Sequence, residues 1–441
     1  MRHHTPKIGF IAPFSNLGDT LPLIEIARRY KELGGKAVFI GYPGKYEKFV
    51  NEIGCKLVKI EEKIPEELVK KRISRIHKYH YRNRPSELVF YRLFNKEREQ
   101  FVKSIIGQEI EIIKKEKIEL LVASYNTTVR ISARALNIPL VVIISGVTIS
   151  SYYRSNLATF PDNFENFFTR LIPNFIKNRF INWYLLQCRW SINGFNRLAK
   201  NYNVAPVKCF LDIFRGDYTF VADDINFLNL KPTSDFPLKN FVGPILIDQP
   251  FKQSDKMLDS DVETRLRRSN RTILFTLGSS GTKKIYLEIL KTLNKTNYNV
   301  IAVYTTILKE DELPKLNDNI LLKKFVPSIK KINENVDLAI IHGGRGTVYT
   351  AAFSGKPVIG IPMHSEQQFN IDNLVRHGSA IRLSKKYFNE KQFLLAIKKI
   401  FDNYDSYLGN AQFLKNKLQN QNGAENAVKR ILEILNENDK N

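Results

Sequence analysis

At 441 residues the chain is two to three times the size of an ordinary domain, which excludes a lone small module. Hydrophobic residues at 43% and charged residues at 25% are ordinary globular values and exclude a disordered or collagen-like chain. Lysine and arginine number 68 against 44 aspartates and glutamates; the net charge of +24 directs the surface toward polyanions, phosphorylated substrates or an anionic membrane without choosing among them.

Three cysteines, Cys55, Cys188 and Cys209, lie far apart without CxxC spacing. That pattern excludes a disulfide framework and a zinc ribbon and points to a reducing compartment. The longest nearly apolar stretch, 138–149, is broken by Pro139 and Gly146 and is shorter than the roughly 20 residues of a membrane span. The opening MRHHTPKIGFIAPF has no apolar region followed by a small-residue cleavage site and reads as a buried first strand, so a cytoplasmic location is expected.

In chain order, 7–12 is predicted as a strand, 14–19 as a polar loop with Gly18, 21–33 as a helix closed by Gly34 and Gly35, and 37–40 as a strand. The rhythm continues with a helix at 97–115, a strand at 120–124, a helix at 127–136 and strands at 140–145 and 218–222. Two stretches, 61–100 and 151–203, interrupt it and read as helical insertions, the second dense in aromatic residues including Trp183 and Trp190. A polar run at 248–271 reads as a linker, after which strands are predicted at 273–277, 299–304, 320–325, 337–341, 357–361 and 380–383 with helices between them. The fold class is therefore α/β, with two Rossmann-like domains at 1–246 and 247–441 facing across a cleft, and a last helical stretch, 412–436, packing back across the junction. Ligands of open α/β sheets bind outside the carboxyl ends of the strands, so the chemistry is expected between the domains.

The densest cluster is 337–370, DLAIIHGGRGTVYTAAFSGKPVIGIPMHSEQQFN. A buried strand ends at His342, Gly343, Gly344 and Gly346 let the backbone turn tightly, and a helix is predicted from about Thr347. Backbone N–H groups at such a helix start form a phosphate site, to which Arg345 and His342 would add charge-assisted hydrogen bonds.

Extended to FVPSIKKINENVDLAIIHGGRGTVYTAAFSGKPVIGIPMHSEQQFN, this block resembles the donor-binding signature of GT-B-fold glycosyltransferases of the UDP-glycosyltransferase superfamily, including the bacterial macrolide and glycopeptide glycosyltransferases. The ordered pieces are an aromatic-x-Pro segment (325–327), HxGxG[ST] (342–347), GxP (355–357) and Px3[DE]Q (362–367). FSNLGDTLPLIEIARRYKELGGKAVFIG resembles the family's opening loop and helix, GDYTFVADD and FVGPI the run before the linker, and TLGSSG the first loop of the second domain.

The resemblance implies an inverting, metal-independent transfer of a hexose from a UDP- or dTDP-sugar. The donor is a nucleotide-diphosphate sugar acting as substrate, and neither a cofactor nor a metal is expected. Asp19 falls at the general-base position. His342, Gly343, Gly344, Arg345, Gly346 and Thr347, with Ser279 and Ser280, would hold the donor diphosphate; Phe325 and Val326 the base; Glu366 and Gln367 the donor sugar. Asp19 also reads as a helix N-cap, Ser279 and Ser280 as an ordinary turn, and Val326 as a strand end. Thr350 stands where many UDP-sugar enzymes carry a ribose-gripping Glu, and Ser328 where a Gln usually follows the aromatic-x-Pro, which leaves the nucleotide open.

The aromatic, basic insertions favour a hydroxylated lipid or hydrophobic small-molecule acceptor, with an anionic membrane surface as a partner and a peripheral position on its cytoplasmic face. Internal packing of the aromatic helices is the competing explanation. The basic run 70–84 suggests phosphate or lipid headgroups. Alternative readings are a nucleotide-sugar 2-epimerase on the same fold and a non-catalytic binder of nucleotide-sugars or membranes. No RRM, zinc-finger or helix-turn-helix signature accompanies the charge, so no nucleic-acid partner is expected.

Overall fold

Short runs rich in Val, Ile, Leu and Phe form strands that are apolar on both faces, the pattern of a parallel sheet covered by helices on each side. The structure is a computed structural model and describes residues 5–12, 14, 17–42, 44, 46–61, 99–189, 192–246, 258–418 and 421–438. The first half runs β1 (Lys7–Ala12), α1 (Leu17–Glu32), β2 (Lys36–Gly41), α2 (Lys48–Glu52), β3 (Lys56–Lys59), α3 (Glu99–Glu116), β4 (Leu120–Ser124), α4 (Val129–Ala135) and β5 (Leu140–Ile144). Helices α5 (Ser150–Arg154), α6 (Phe167–Arg170), α7 (Asn174–Gln187) and α8 (Ile192–Lys200) precede β6 (Tyr218–Val221).

The second half runs α9 (Ser260–Leu266), β7 (Thr272–Thr276), α10 (Lys283–Leu293), β8 (Asn299–Val303), β9 (Ile320–Lys323), α11 (Ile329–Asn335), β10 (Leu338–Ile341) and α12 (Arg345–Ser354). It ends with β11 (Val358–Gly360), α13 (Ser365–Arg376), β12 (Ala380–Arg382), α14 (Glu390–Asp402), α15 (Tyr404–Leu418) and α16 (Gly423–Asn438). The basic run 70–84, Trp190 and the linker stretch 247–257 fall outside the described residues.

Both sheets are parallel, in the orders β3-β2-β1-β4-β5-β6 and β12-β11-β10-β7-β8-β9. In each, chain progression reverses between the first strand and the fourth, β1 beside β4 and β7 beside β10. At such a switch point the neighbouring loops leave in opposite directions and open a crevice. Two Rossmann-like domains are thus present, and the loops after β1, β4, β7 and β10 border their crevices.

One apolar cluster spans both domains. Tyr349 and Ala352 of α12 and Phe369 and Leu374 of α13 bury in a cluster with Tyr152, Phe227 and Leu228. The rings of Phe227 and Tyr349 lie 4.7 Å apart. Helix α16 returns to the first domain, where Ala427, Val428 and Ile431 bury with Leu23 and Ile24 of α1. The two chain crossings touch: the Gly423 N–H donates to the Pro244 carbonyl at 3.3 Å and the Asn426 amide to that of Val242 at 2.9 Å. A Cβ at Gly423 would lie 2.3 Å from the Gly243 carbonyl oxygen, so the contact requires glycine.

Two element boundaries differ from the sequence reading in ways that matter. Helix α1 starts at Leu17 rather than residue 21, because Leu17, Leu21 and Ile24 already form an i, i+4, i+7 stripe against the first-domain core. Asp19 therefore lies inside the first turn rather than capping it. Strand β9 stops at Lys323, which leaves Phe325 beyond the sheet.

Beneath the first sheet Glu109 is fully buried and accepts hydrogen bonds from Thr128 Oγ1 at 2.6 Å and from Ser132 Oγ. Burial pushes its carboxyl up to about 7, the two hydroxyls working in the opposite direction. A folded-state pKa above the unfolded one means stability falls as pH rises between the two values. Glu109→Gln is therefore expected to gain in relative stability from pH 5 to pH 8, by about 2–3 kcal/mol. Urea unfolding of both proteins at the two pH values checks this, and a pH-independent difference contradicts it.

Candidate active site

The loop after β10 turns on Gly343, whose φ of +87° suits glycine and whose added Cβ would lie 2.5 Å from the Gln367 carbonyl. Gly344 is the N-cap of α12, and Arg345 is its first residue, two positions earlier than the sequence suggested. Ten residues long, α12 presents its first backbone N–H groups and the positive end of its dipole at the crevice between β10 and β7. Thr347 Oγ1 donates back to the Gly344 carbonyl at 2.8 Å, and Thr350 Oγ1 to that of Gly346 at 2.7 Å. Thr350 thus folds onto its own helix.

His342 differs from expectation. Its ring is buried, and burial lowers its pKa to about 4, so at neutral pH it brings no charge to a phosphate. The imidazole lies in a slot that two glycines create: a Cβ on Gly278 would lie 2.5 Å from its Cε1, and one on Gly344 would lie 2.6 Å from its Nε2. Its Nδ1 has no hydrogen-bond partner among the described residues. A neutral imidazole can still donate one N–H. Ser279 and Ser280 follow Gly278 in the turn after β7, and Thr305 Oγ1 fixes that turn by donating to the Gly278 carbonyl at 3.0 Å.

Phe325 is 60% exposed and free to stack, whereas the side chain of Val326 is buried with Val262 and Leu274, leaving only its backbone for a base. Ser328 is the N-cap of α11 and accepts from the Lys331 N–H at 3.2 Å. Glu366 and Gln367 occupy the first turn of α13. Gln367 is buried, and its Oε1 accepts from the Met363 N–H at 2.9 Å, so one member of the expected sugar-reading pair has its carbonyl engaged by the backbone.

The opposite wall comes from the first domain. Arg345 Nη2 donates to the Gly18 carbonyl at 3.1 Å, across 327 residues of sequence. Pro22 sits inside α1 and has no N–H with which to bond that carbonyl four residues before it. Burial works against the Arg345 charge, but Asp223, Tyr125, Glu366 and Asp19 hold it and raise the pKa. In turn, burial and then Asp19 push the Glu366 carboxyl up to about 7. Asp19, Arg345 and Glu366 therefore form one electrostatic group spanning the cleft. Arg345 faces this acidic group rather than standing as a lone phosphate ligand.

Sequence reasoning missed Asp223, Tyr125 and Tyr349 as members of the site. Asp223 is buried, accepts from the Gly146 N–H at 2.6 Å and from Ser145 Oγ at 3.2 Å, and is raised above the usual carboxylate range by burial. Tyr349 reaches over from α12, its hydroxyl accepting from the Asp224 N–H at 2.9 Å. The Tyr125 hydroxyl follows β4, bonds Thr148 at 2.8 Å and accepts from the Ser145 N–H at 2.8 Å. The GDYTFVADD run was the available signal for Asp223; nothing local in the sequence singles out Tyr125. Among the described residues no three His, Cys, Asp or Glu side chains gather as a metal would require.

Residues 272–431 match the glycosyltransferase family 28 C-terminal domain. Solved structures extend the likeness to the whole chain: the calicheamicin glycosyltransferase superposes with a TM-score of 0.67, covering 98% of this chain and 99% of that one at 14% identity. A spinosyn rhamnosyltransferase complexed with thymidine diphosphate gives 0.65, with 97% and 100% coverage at 12% identity. The fold is GT-B. Among curated relatives, UDP-glucuronosyltransferase 2B15 of Rattus norvegicus is 27% identical over 170 residues, 36% of this chain and 30% of its own. A PGL/p-HBAD biosynthesis glycosyltransferase of Mycobacterium tuberculosis (strain ATCC 25177 / H37Ra) is 28% identical over 189 residues, 42% and 40% of the two chains. The match thus spans less than half the length of these relatives. The resemblance read in the sequence holds, and GT-B architecture puts the 342–347 loop and the Asp19 turn on opposite walls of one cleft.

The His342 slot gives a direct test. Gly278 has φ +55°, so Gly278→Ala adds both backbone strain and a clash with a buried ring. A loss of roughly 1–3 kcal/mol is expected, read as a lowered midpoint in urea. Gly346→Ala, with open space at its Cβ, serves as the near-neutral control.

Proposed function

We propose that the protein is an inverting, metal-independent glycosyltransferase that moves a sugar from a UDP- or dTDP-linked donor to a hydroxyl of a lipid or hydrophobic small molecule, in a cytoplasmic setting. The observation that carries this reading is the placement of the Asp19 turn against the start of α12, joined by the Arg345–Gly18 hydrogen bond. A base and a diphosphate site must face one another for a single displacement.

In that displacement the acceptor oxygen bonds to the anomeric carbon as the bond from that carbon to the donor phosphate oxygen breaks. Asp19 takes the hydroxyl proton, and the nucleoside diphosphate departs with the electron pair. Charge grows on the departing diphosphate, where the first N–H groups and dipole of α12 stabilise it. The hydroxyls of Ser279 and Ser280 and one N–H of neutral His342 add uncharged donors. Concentrated donors of this kind can stabilise the leaving group without a metal. Glu366 accepts from hydroxyls of the donor sugar, Phe325 stacks on the base, and the Val326 backbone pairs with it.

The nucleotide bears on Thr350. Its hydroxyl is held by the Gly346 carbonyl, so no carboxylate stands there to grip a ribose diol. A thermal-shift panel of UDP, dTDP and their sugars, followed by transfer assays on the best donor, tests the reading; a chain that none of them stabilises contradicts it. Asp19→Asn should cut transfer by about 10²–10⁴-fold while leaving the nucleotide shift intact. Full transfer by that variant removes Asp19 as the base.

The Glu366 carboxyl, raised to about 7, ionises across neutrality. Its ionised form accepts from two sugar hydroxyls and its protonated form from fewer, so the donor KM should fall about tenfold from pH 6 to pH 8. Glu366→Gln should flatten that profile. An unchanged pH profile in the variant assigns the dependence elsewhere.

A further inference from the structure

Helix α7 leaves an apolar face uncovered. Its inward side mixes apolar Ile181, Leu185 and Leu186 with polar groups that are bonded: Asn182 takes the Ala158 N–H at 3.2 Å and donates to the carbonyls of Ala158 and Asn178 at 2.7 Å each, and Lys177 pairs with Glu165 at 2.7 Å. Its outward side carries Phe175, Ile176, Phe180 and Trp183, spaced as one helical face. Phe167 and Phe168 of the preceding α6 are exposed too, and the aromatic members of the two helices are between 53% and 75% exposed. The rings touch one another: Phe180 and Trp183 are 6.1 Å apart and Phe167 and Phe168 5.7 Å. Internal packing thus accounts for Tyr152 and Tyr153, which are buried, but not for this surface. Large apolar patches of this kind on a folded protein mark a docking surface.

Charge selects the partner. From 167 to 187 the sequence has no Asp or Glu; Lys177 is buried against Glu165, which leaves Arg170 and Arg179 as the exposed cations, on a chain of net charge +24. Two copies meeting through this face would bring Arg170 and Arg179 together on two strongly cationic bodies, whereas an anionic bilayer offers both an apolar interior and counter-charge. Phe and Trp rings beside Arg are suited to the headgroup boundary.

We infer that the outer face of α6 and α7 docks on the surface of an anionic lipid bilayer. The inference rests on the lipid-acceptor reading and extends it, because the same segment is tied to the helix carrying Glu366. Thr159 Oγ1 donates to Asp372 of α13 at 2.5 Å, Gln368 of α13 accepts from the Asp162 N–H at 2.9 Å, and Arg382 pairs with Asp162 at 2.6 Å. These bonds connect the stretch leading into α6 with α13 and β12, so a bilayer on this face is joined through the chain to the element that carries Glu366. No helix among the described residues is long and apolar enough to cross a membrane, so this docking is of the interfacial kind.

The test is flotation of the full chain with phosphatidylcholine vesicles, with and without phosphatidylglycerol, and no donor or acceptor present. The wild type should float with the anionic vesicles only. The triple variant Phe168→Ser/Phe175→Ser/Trp183→Ser, altered at exposed positions, should lose at least about tenfold in bound fraction, and Arg179→Glu should weaken binding and its salt dependence. All variants should keep the wild-type nucleotide thermal shift, which shows that they are folded. A wild type that does not float, a triple variant that floats equally well, or a wild-type dimer that the triple substitution dissociates overturns the inference. Since flotation uses no nucleotide, its failure leaves the glycosyl-transfer reading to be judged by the thermal-shift panel.

Discussion

Pro22 cannot donate to the carbonyl of Gly18, and Arg345 at the start of α12 reaches over the cleft to bond it. That one guanidinium ties a helix that follows the first strand of one sheet to a helix that follows the fourth strand of the other. Its charge is set in a ring of acids, Asp19, Asp223 and Glu366, which would repel one another without it. The crevices of two independent sheets are thereby held mouth to mouth. Tyr349, one helical turn further along α12, repeats the link on the Asp224 backbone.

Crowding acids around one cation has a chemical use. Burial alone raises a carboxyl, and a second carboxylate nearby raises it again, so Glu366 is poised near neutrality. Around His342 the same physics runs the other way, because desolvation strips its charge. The 342–347 loop of the second domain thus offers dipoles and N–H groups around an uncharged ring, while Asp19 and Asp223 come from the first domain and Glu366 from the second. A leaving group that gains negative charge and a base that loses it would each find its complement.

The strands were legible because their apolar runs are short, nearly continuous and punctuated by glycine, and most helices because their apolar residues recur at helical spacing. The glycine turn of 342–347 announced a ligand loop, and structure adds why the glycines are required: Gly278 and Gly344 make room for the His342 ring, and Gly343 for the Gln367 carbonyl. What a linear reading could not supply was depth. His342 and Gln367 look like polar ligands in the sequence, yet one is neutral and the other partly consumed by the Met363 backbone. Tyr125 and Asp223 join the site only through folding, from loops nearly a hundred residues apart. The aromatic insertion was ambiguous for a similar reason: composition does not tell which side of α7 faces out.

The return of α16 to the first domain gives the molecule two covalent passages between its lobes instead of one, and they run side by side through Val242, Pro244, Gly423 and Asn426. Paired tethers resist twisting and sliding but permit rotation about the line they share. Any opening hinged at this spine, the glycine-to-glycine approach of 243 and 423, would have to part the Phe227–Tyr349 packing and break the Arg345–Gly18 hydrogen bond. A bulky side chain wedged into that spine would alter the resting angle of the whole cleft while touching none of the residues that line it.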